Sequence, residues 1–341
     1  MSDRKDYKHS RNFKDILPVL LVFFMGALTG SLLQKYLLPK NPTQEKANVL
    51  SEKRVGDSNH LTNPLLECEQ SIGSDGGLEL IKYKIEDYIK NKTRDKKIAH
   101  VSVYIRDLNN GPWIGVNEDE GFSPASLLKV PLMMAYFKAA QEDPEILSQV
   151  ILYKNAISDG ATPNIMPEKQ IQVGNAYAVS DLIYRMIVYS DNEAKNLLLL
   201  NLKQDILDQV YTDLNIAIPD FRDKEDFISV KDYASFFRIL YNASYLNREM
   251  SEKALNILTE VDFDEGLLAG LPPNIKVAHK FGERVNVNTG LAQLHECGIV
   301  YHRKSPYLLG VMTRGEDLDN LKAILKDISR IVYEHKEKYN D

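Results

Sequence analysis

The stretch Phe122-Ser123-Pro124-Ala125-Ser126-Leu127-Leu128-Lys129 runs on into Val130-Pro131-Leu132-Met133-Met134-Ala135-Tyr136-Phe137. A segment this apolar on every side predicts a helix through the middle of a domain. Ser123 before Pro124 predicts its start, with Ser123 as N-cap and Pro124 in the first helical position. Ser126 then falls in the first turn, where free backbone N–H groups favour developing negative charge. Lys129, three residues on, shares the face of Ser126. A buried apolar helix normally excludes lysine, so Lys129 calls for a reason. A serine hydroxyl is a weak nucleophile at neutral pH and needs a neighbouring base, which the Lys129 amine would supply. With 42 Lys and Arg in the chain, one Ser-x-x-Lys is expected by chance, so the chemical reading needs partners.

Two partners follow in order. Ser190-Asp191-Asn192 joins the apolar periodic run Leu182–Tyr189 to a second helical run, Ala194–Leu200. A triplet at such a joint presents a hydroxyl and a carboxamide to a cleft. Lys280-Phe281-Gly282 closes the strand-like Ile275–Gly282, where a glycine at a strand edge lets a ligand approach the backbone. Each triplet alone reads as a helix–helix turn or a strand end. The three together, in this order, read as one site.

In these motifs the chain resembles the penicillin-recognising serine hydrolases, and among them the class A β-lactamases, whose signature is Ser-x-x-Lys, Ser-Asp-Asn and Lys-Thr-Gly. The likeness extends over roughly residues 78–336. It implies an α+β fold in three α/β/α layers, with an antiparallel sheet from both chain ends and a helical lobe. It makes Ser126 the nucleophile, Lys129 its base or base partner, and Ser190 the proton carrier to the leaving nitrogen. Lys280 would be the second cation, lowering the pKa of Lys129 by charge repulsion. Asn192 would hold the substrate amide, and backbone N–H groups of Ser126 and Glu283 would form an oxyanion hole beside Gly282. Arg284 or Arg303 would meet a substrate carboxylate. The implied substrate is a β-lactam, as in antibiotic resistance, or alternatively a D-Ala-type cell-wall peptide. A third reading is a penicillin-binding sensor that stays acylated. Glutaminases share the Ser-x-x-Lys chemistry, but a membrane-tethered outer domain argues against them. No metal or cofactor is implied.

Two departures stand out. Phe281 occupies the position of the family's threonine, whose hydroxyl helps to hold a substrate carboxylate. The loop 215–227 carries no Glu-Leu-Asn, the source of the family's water-activating glutamate. Glu225 and Asp223 are the candidate substitutes, and a charged solvent loop is the simpler reading. Acylation is therefore better supported than fast deacylation.

The N-terminus is a separate object. Ile16 to Gln34 holds no charged residue, and as a helix it would span about 28 Å at ~1.5 Å per residue, close to the hydrocarbon thickness. Arg4, Lys5, Lys8, Arg11 and Lys14 precede it, while Lys35 and Lys40 follow. The positive-inside rule makes residues 1–15 a cytoplasmic tail and 16–39 a single transmembrane anchor, with the catalytic domain outside the cell membrane. A cleaved signal peptide is the rival reading, although the run is long and lacks a small-x-small site. Residues 40–77 are polar, with scattered Pro and Gly, and read as a flexible tether. Residues 78–341 suffice for one large domain with its own core.

A net charge of −6, with the charges interspersed, gives no reason to expect nucleic acid, and the domain is expected to be a monomer. Cys68 and Cys297 would be free to pair outside the cell, but two unrelated cysteines fit equally well. His295 and Cys297 share a strand face, yet two ligands do not make a zinc site. Strands are expected at 98–105, 113–116, 294–301 and 307–313. Helices are expected at 78–92 and 318–333, with Ser180 and Ser251 as caps of two others and a further one beginning at Ser229 or Val230.

Overall fold

The computed structural model describes residues 48–55, 60–72, 76–95, 98–157, 163–219, 225–286 and 288–339. The span read as a transmembrane anchor lies outside them, as do Asp223 and the side chain of Cys68. Among the described residues no helix is long and apolar enough to cross a membrane.

The strand signals at the two chain ends build one sheet. β3 (Ile98–Asp107) and β4 (Trp113–Val116) come from the first half, and β9 (Val277–Val285), β10 (Ala292–Val300) and β11 (Tyr307–Gly315) from the last. The order is β4-β3-β11-β10-β9, antiparallel throughout, with Val103 opposite Val311 and Lys280 opposite Cys297. β10 is buried along its whole length, since both faces of the sheet are covered. On one side lie α1 (Gly76–Lys92) and α8 (Leu318–Tyr339); on the other, α6 (Val230–Asn242) and the helical lobe. This is the expected three-layer α+β arrangement.

α8 is pinned by a buried ion pair. The Lys336 ammonium meets the Asp107 carboxylate, which also accepts the Ser305 hydroxyl at 2.6 Å. Burial alone would raise the Asp107 pKa, but the Lys336 charge and these hydrogen bonds outweigh it and hold the carboxyl below its ordinary range.

Between β5 (Gly121–Phe122) and β8 (Ile228–Ser229), which pair with each other, the chain forms the helical lobe. It contains α2 (Lys129–Glu142), the strand pair β6 (Val150–Leu152) and β7 (Ala176–Ala178), α3 (Val179–Val188), α4 (Asn192–Asn201) and α5 (Gln204–Asp213). α7 (Arg248–Leu258) follows α6 and packs on β9. α6 begins at Val230, within the expected start, and Ser229 caps it, its hydroxyl accepting the Asp232 N–H. Ser180 and Ser251 do not cap: Ala178 precedes α3 without a side-chain bond, and Asn247 caps α7.

The reading of residues 40–77 as a tether needs correction over 48–72. β1 (Asn48–Arg54) and β2 (Leu65–Ile72) form an antiparallel hairpin within the same unit as the catalytic domain. Between the strands the Glu252 carboxylate accepts the N–H groups of Leu61 (2.8 Å) and Thr62 (3.0 Å) and the Thr62 hydroxyl (2.9 Å). Arg54 reaches Asn242 Oδ1 at 2.7 Å, and Arg106 meets Glu52 at 2.6 Å. Backbone groups and charges that a tether would leave to water find partners here, so the segment is part of the fold.

Candidate active site

α2 is apolar all round because it crosses the interior, as its sequence predicts, and it carries Lys129 at 1% exposure. Its start differs from expectation. Ser123 does not cap: its Oγ accepts from Arg284 at 3.3 Å, while its N–H donates to Gln293 Oε1 and its carbonyl accepts from His295 Nε2 at 3.0 Å. Residues Ala125–Leu128 form a 3-10 turn before α2, so Ser126 sits in that tight turn. Ala125, just before it, has φ 48°, a left-handed conformation costing a non-glycine residue about 1–3 kcal/mol. Ser190 shares this feature with φ 56°. Ser190 touches the Lys129 amine, and Ala125 directly precedes Ser126, which does so too.

Lys129 Nζ lies 3.0 Å from Ser126 Oγ, 2.9 Å from Ser190 Oγ, 2.7 Å from the Ser190 carbonyl and 2.8 Å from Asn192 Oδ1. The carbonyl and the carboxamide oxygen can only accept, so they take two N–H bonds. In the neutral amine the remaining position is a lone pair, available to the Ser126 proton. The joint between α3 and α4 supplies these groups because Asp191 is fully buried as the α4 cap, accepting the N–H groups of Glu193, Ala194 and Ile171. Burial pushes the Asp191 pKa up against those bonds.

Lys280 enters from β9 and donates to Ser190 Oγ at 3.1 Å. It is completely buried, and burial lowers its pKa to about 7 against the opposing charge of Glu296. Ser190 Oγ is thus flanked by two amines while its own proton stays available. Phe281 is 4% exposed and stacked on Phe263 at 4.3 Å, with the Lys280 amine 4.1 Å from its ring centroid. Gly282 has a different neighbour from the one expected. A Cβ there would stand 2.8 Å from the Pro124 carbonyl and 3.1 Å from Leu127 N, so the missing side chain admits the 125–128 turn itself.

The remaining sequence candidates separate. Glu283 directs its carboxylate to the Asn164 N–H (2.6 Å), Asn164 Nδ2 (2.7 Å) and the Ile165 N–H (3.3 Å). Arg284 pairs with Glu225 at 2.8 Å and reaches Ser123 Oγ. Arg303 lies in the β10–β11 turn, where its charge acts on Tyr333 of α8, which places it behind the sheet. Glu225 holds Arg284 and Asn286 at the end of β9. Cys297 is a buried free thiol, with a pKa raised by burial, and His279 contacts the buried Glu296 at 2.6 Å.

Sequence reasoning missed His295. Its Nδ1 accepts the Thr313 N–H and its Nε2 meets the Ser123 carbonyl, so β10 and β11 position the turn ahead of Ser126. A lone histidine in a strand carries no signal of that role.

The sequence profile of the Beta-lactamase enzyme family matches residues 83–336, and the chain belongs to that family. No curated protein sequence matches it. Among solved structures, PBP-A superposes with TM-score 0.63 at 22% identity, over 76% of this chain and 97% of that one. A mutant of PBP-A, solved as an acyl-enzyme complex with penicillin G, gives 0.64 over the same shares at the same identity. The class A β-lactamase from Mycobacterium abscessus gives 0.62 at 20% identity, over 73% of this chain and 98% of its own. Likeness at this level establishes the β-lactamase-like fold.

Proposed function

We propose that this protein is a serine hydrolase acylated by β-lactams on Ser126, with deacylation slower than acylation. The observation that carries the reading is the Lys129 amine, 3.0 Å from Ser126 Oγ and oriented by two acceptors. Lys129 takes the Ser126 proton as Oγ attacks the lactam carbonyl carbon. The oxyanion forms against the backbone N–H groups of Ser126 and Glu283. The C–N bond then breaks, and Ser190 gives its proton to the leaving nitrogen, replaced by the proton on Lys129. Lys280 stabilises the charge that builds on Ser190 Oγ during this relay. Asn192 orients Lys129 and holds the substrate amide.

Slow deacylation is supported by the loop 215–227. Its described glutamate, Glu225, is engaged with Arg284 and Asn286 at the end of β9. A D-Ala-type peptide is the second reading, favoured by the absence of Glu-Leu-Asn from the loop 215–227. The N-terminal run 16–34 anchors the protein, with the catalytic domain outside the cytoplasm.

Intact-mass spectrometry over time tests the chemistry. A penicillin adduct should form on the wild type and be absent from Ser126→Ala. It should persist, since lacking a positioned base slows hydrolysis by about 10²–10⁴-fold. Absence of any adduct across several β-lactam classes overturns acylation. A Glu225→Gln variant whose adduct decays far more slowly would instead make Glu225 the hydrolytic base.

A further inference from the structure

Glu296 is a carboxylate closed off from solvent in the middle of β10. Burying such a charge is costly unless partners replace the lost water. The fold makes room for it, because a Cβ on Gly266 would collide with Glu296 Oε2. That oxygen instead accepts the Leu267 N–H at 2.7 Å. The other oxygen lies 2.6 Å from His279 Nδ1, a contact without hydrogen-bond geometry. One backbone N–H leaves most of the carboxylate's acceptor capacity unfilled, so a neighbouring cation has to balance it. Lys280 is that neighbour. In the sheet register Glu296 stands opposite Phe281, and the Lys280 amine lies 4.1 Å from the Phe281 ring centroid. The same amine donates to Ser190 Oγ.

The other titratable groups around this pair do not take its place. Cys297, opposite Lys280, and Tyr233 of α6 have pKa values raised by burial and stay protonated. His295 has its pKa lowered by burial and stays neutral. Lys129 meets Ser190 Oγ separately, as the base. α7 buries no titratable side chain, and Asp262, Asp264 and Glu265, just before Gly266, are exposed. The buried titratable groups of α8, His335 and Lys336, lie beside Gly77 and Asp107.

We infer that Glu296 is a positioning residue for the acylation relay: from β10 its carboxylate supplies the counter-charge that keeps the Lys280 amine protonated beside Ser190 Oγ. The inference rests on the acylation reading above, in which Lys280 stabilises the charge that builds on Ser190 Oγ. A neutral Lys280 would still form a hydrogen bond there but would bring no charge to the relay. Burial drives Lys280 toward that neutral form, and the Glu296 charge opposes it. Without Glu296 the relay therefore weakens as pH rises through the neutral range.

The test removes the charge and keeps the shape. Glu296→Gln retains an oxygen for the Leu267 N–H, and Glu296→Met is a second neutral variant in case the first misfolds. In protein isotope-labelled at lysine Cε, the NMR signal of Lys280 is assigned by its absence from Lys280→Met. Its titration midpoint, about 7 in wild type, should lie clearly lower in either neutral variant. The loss is about tenfold in proton affinity, the effect of a full charge within about 12 Å at an effective dielectric of ~20. The penicillin acylation rate relative to wild type should then fall from near one at about pH 5.5 to about one tenth at about pH 8. Glu296→Asp, which restores the charge, should recover the wild-type profile. A role confined to packing would lower the rate by one factor at every pH. That flat ratio, or an unmoved Lys280 midpoint, overturns the inference. If no β-lactam labels the wild type, the acylation reading falls by itself, and the Lys280 midpoint still decides whether Glu296 holds the proton.

Discussion

Lys280 illustrates how a single side chain trades stability for chemistry. It is completely buried, and that burial lowers its pKa from 10.5 to about 7. Between those two values the unfolded chain holds a proton that the folded chain has released. Stability from this group therefore rises with pH across the window, and its full cost is present at pH 7 and below. Lys280→Met should accordingly melt at a higher temperature than wild type at pH 7, by an amount that shrinks toward pH 10. The same variant should lose most of its acylation rate, because Ser190 Oγ loses one of its two amine partners. Thermal melts across pH, with the acylation rate measured on the same samples, check both halves. A variant that is less stable at pH 7 would contradict the assignment of burial as the dominant cause.

Among the elements, the junction of β10 with the 125–128 turn decides whether Ser126 is held in place. His295 accepts the Thr313 N–H on one ring nitrogen and serves the Ser123 carbonyl with the other, which requires the neutral ring. Burial, the largest cause, lowers its pKa to about 3. The unfolded histidine takes up a proton below its ordinary 6.5, so stability is lost as pH falls from about 6.5 toward 3. His295→Gln should flatten that acid limb in urea-midpoint measurements while lowering stability at pH 7. An unchanged acid limb would mean that another group governs it.

For the whole molecule, the sheet and the helical lobe are covalently remote yet meet at one hydroxyl, that of Ser190. The lobe contributes Ser126, Lys129 and Asn192, the sheet contributes Lys280 and Gly282, and Glu283 of the sheet holds Asn164 and Ile165. The hairpin of β1 and β2 is bound to the rest of its unit through Glu252, Arg106 and Asn242. If the apolar run 16–34 anchors the protein, full-length protein should sediment with membranes. Protease added to intact cells with a permeable envelope should then cleave the catalytic domain. Recovery of full-length protein in the soluble cytosol would overturn the anchor.

The local readings that succeeded depend on short-range physics. The strands expected at 98–105 and 307–313 and the helix expected at 318–333 each form, because side-chain period acts within a few residues. Ser126, Lys129, Ser190, Asn192 and Lys280 were legible as a set because the family's motifs name them. What the sequence could not decide is which partners these groups meet across the fold. Ser123 looked like a cap, but Gln293 and His295, some 170 positions away, claim its backbone. Gly282 looked like room for a ligand and is room for Leu127. Glu283 was read for its N–H, whereas its carboxylate holds a loop more than a hundred residues earlier. Residues 48–72 lacked apolar periodicity and looked free, yet charged and backbone hydrogen bonds to distant residues order them. Periodicity records burial along one element; long-range polar pairing leaves no periodic trace and is decided only when the chain closes on itself.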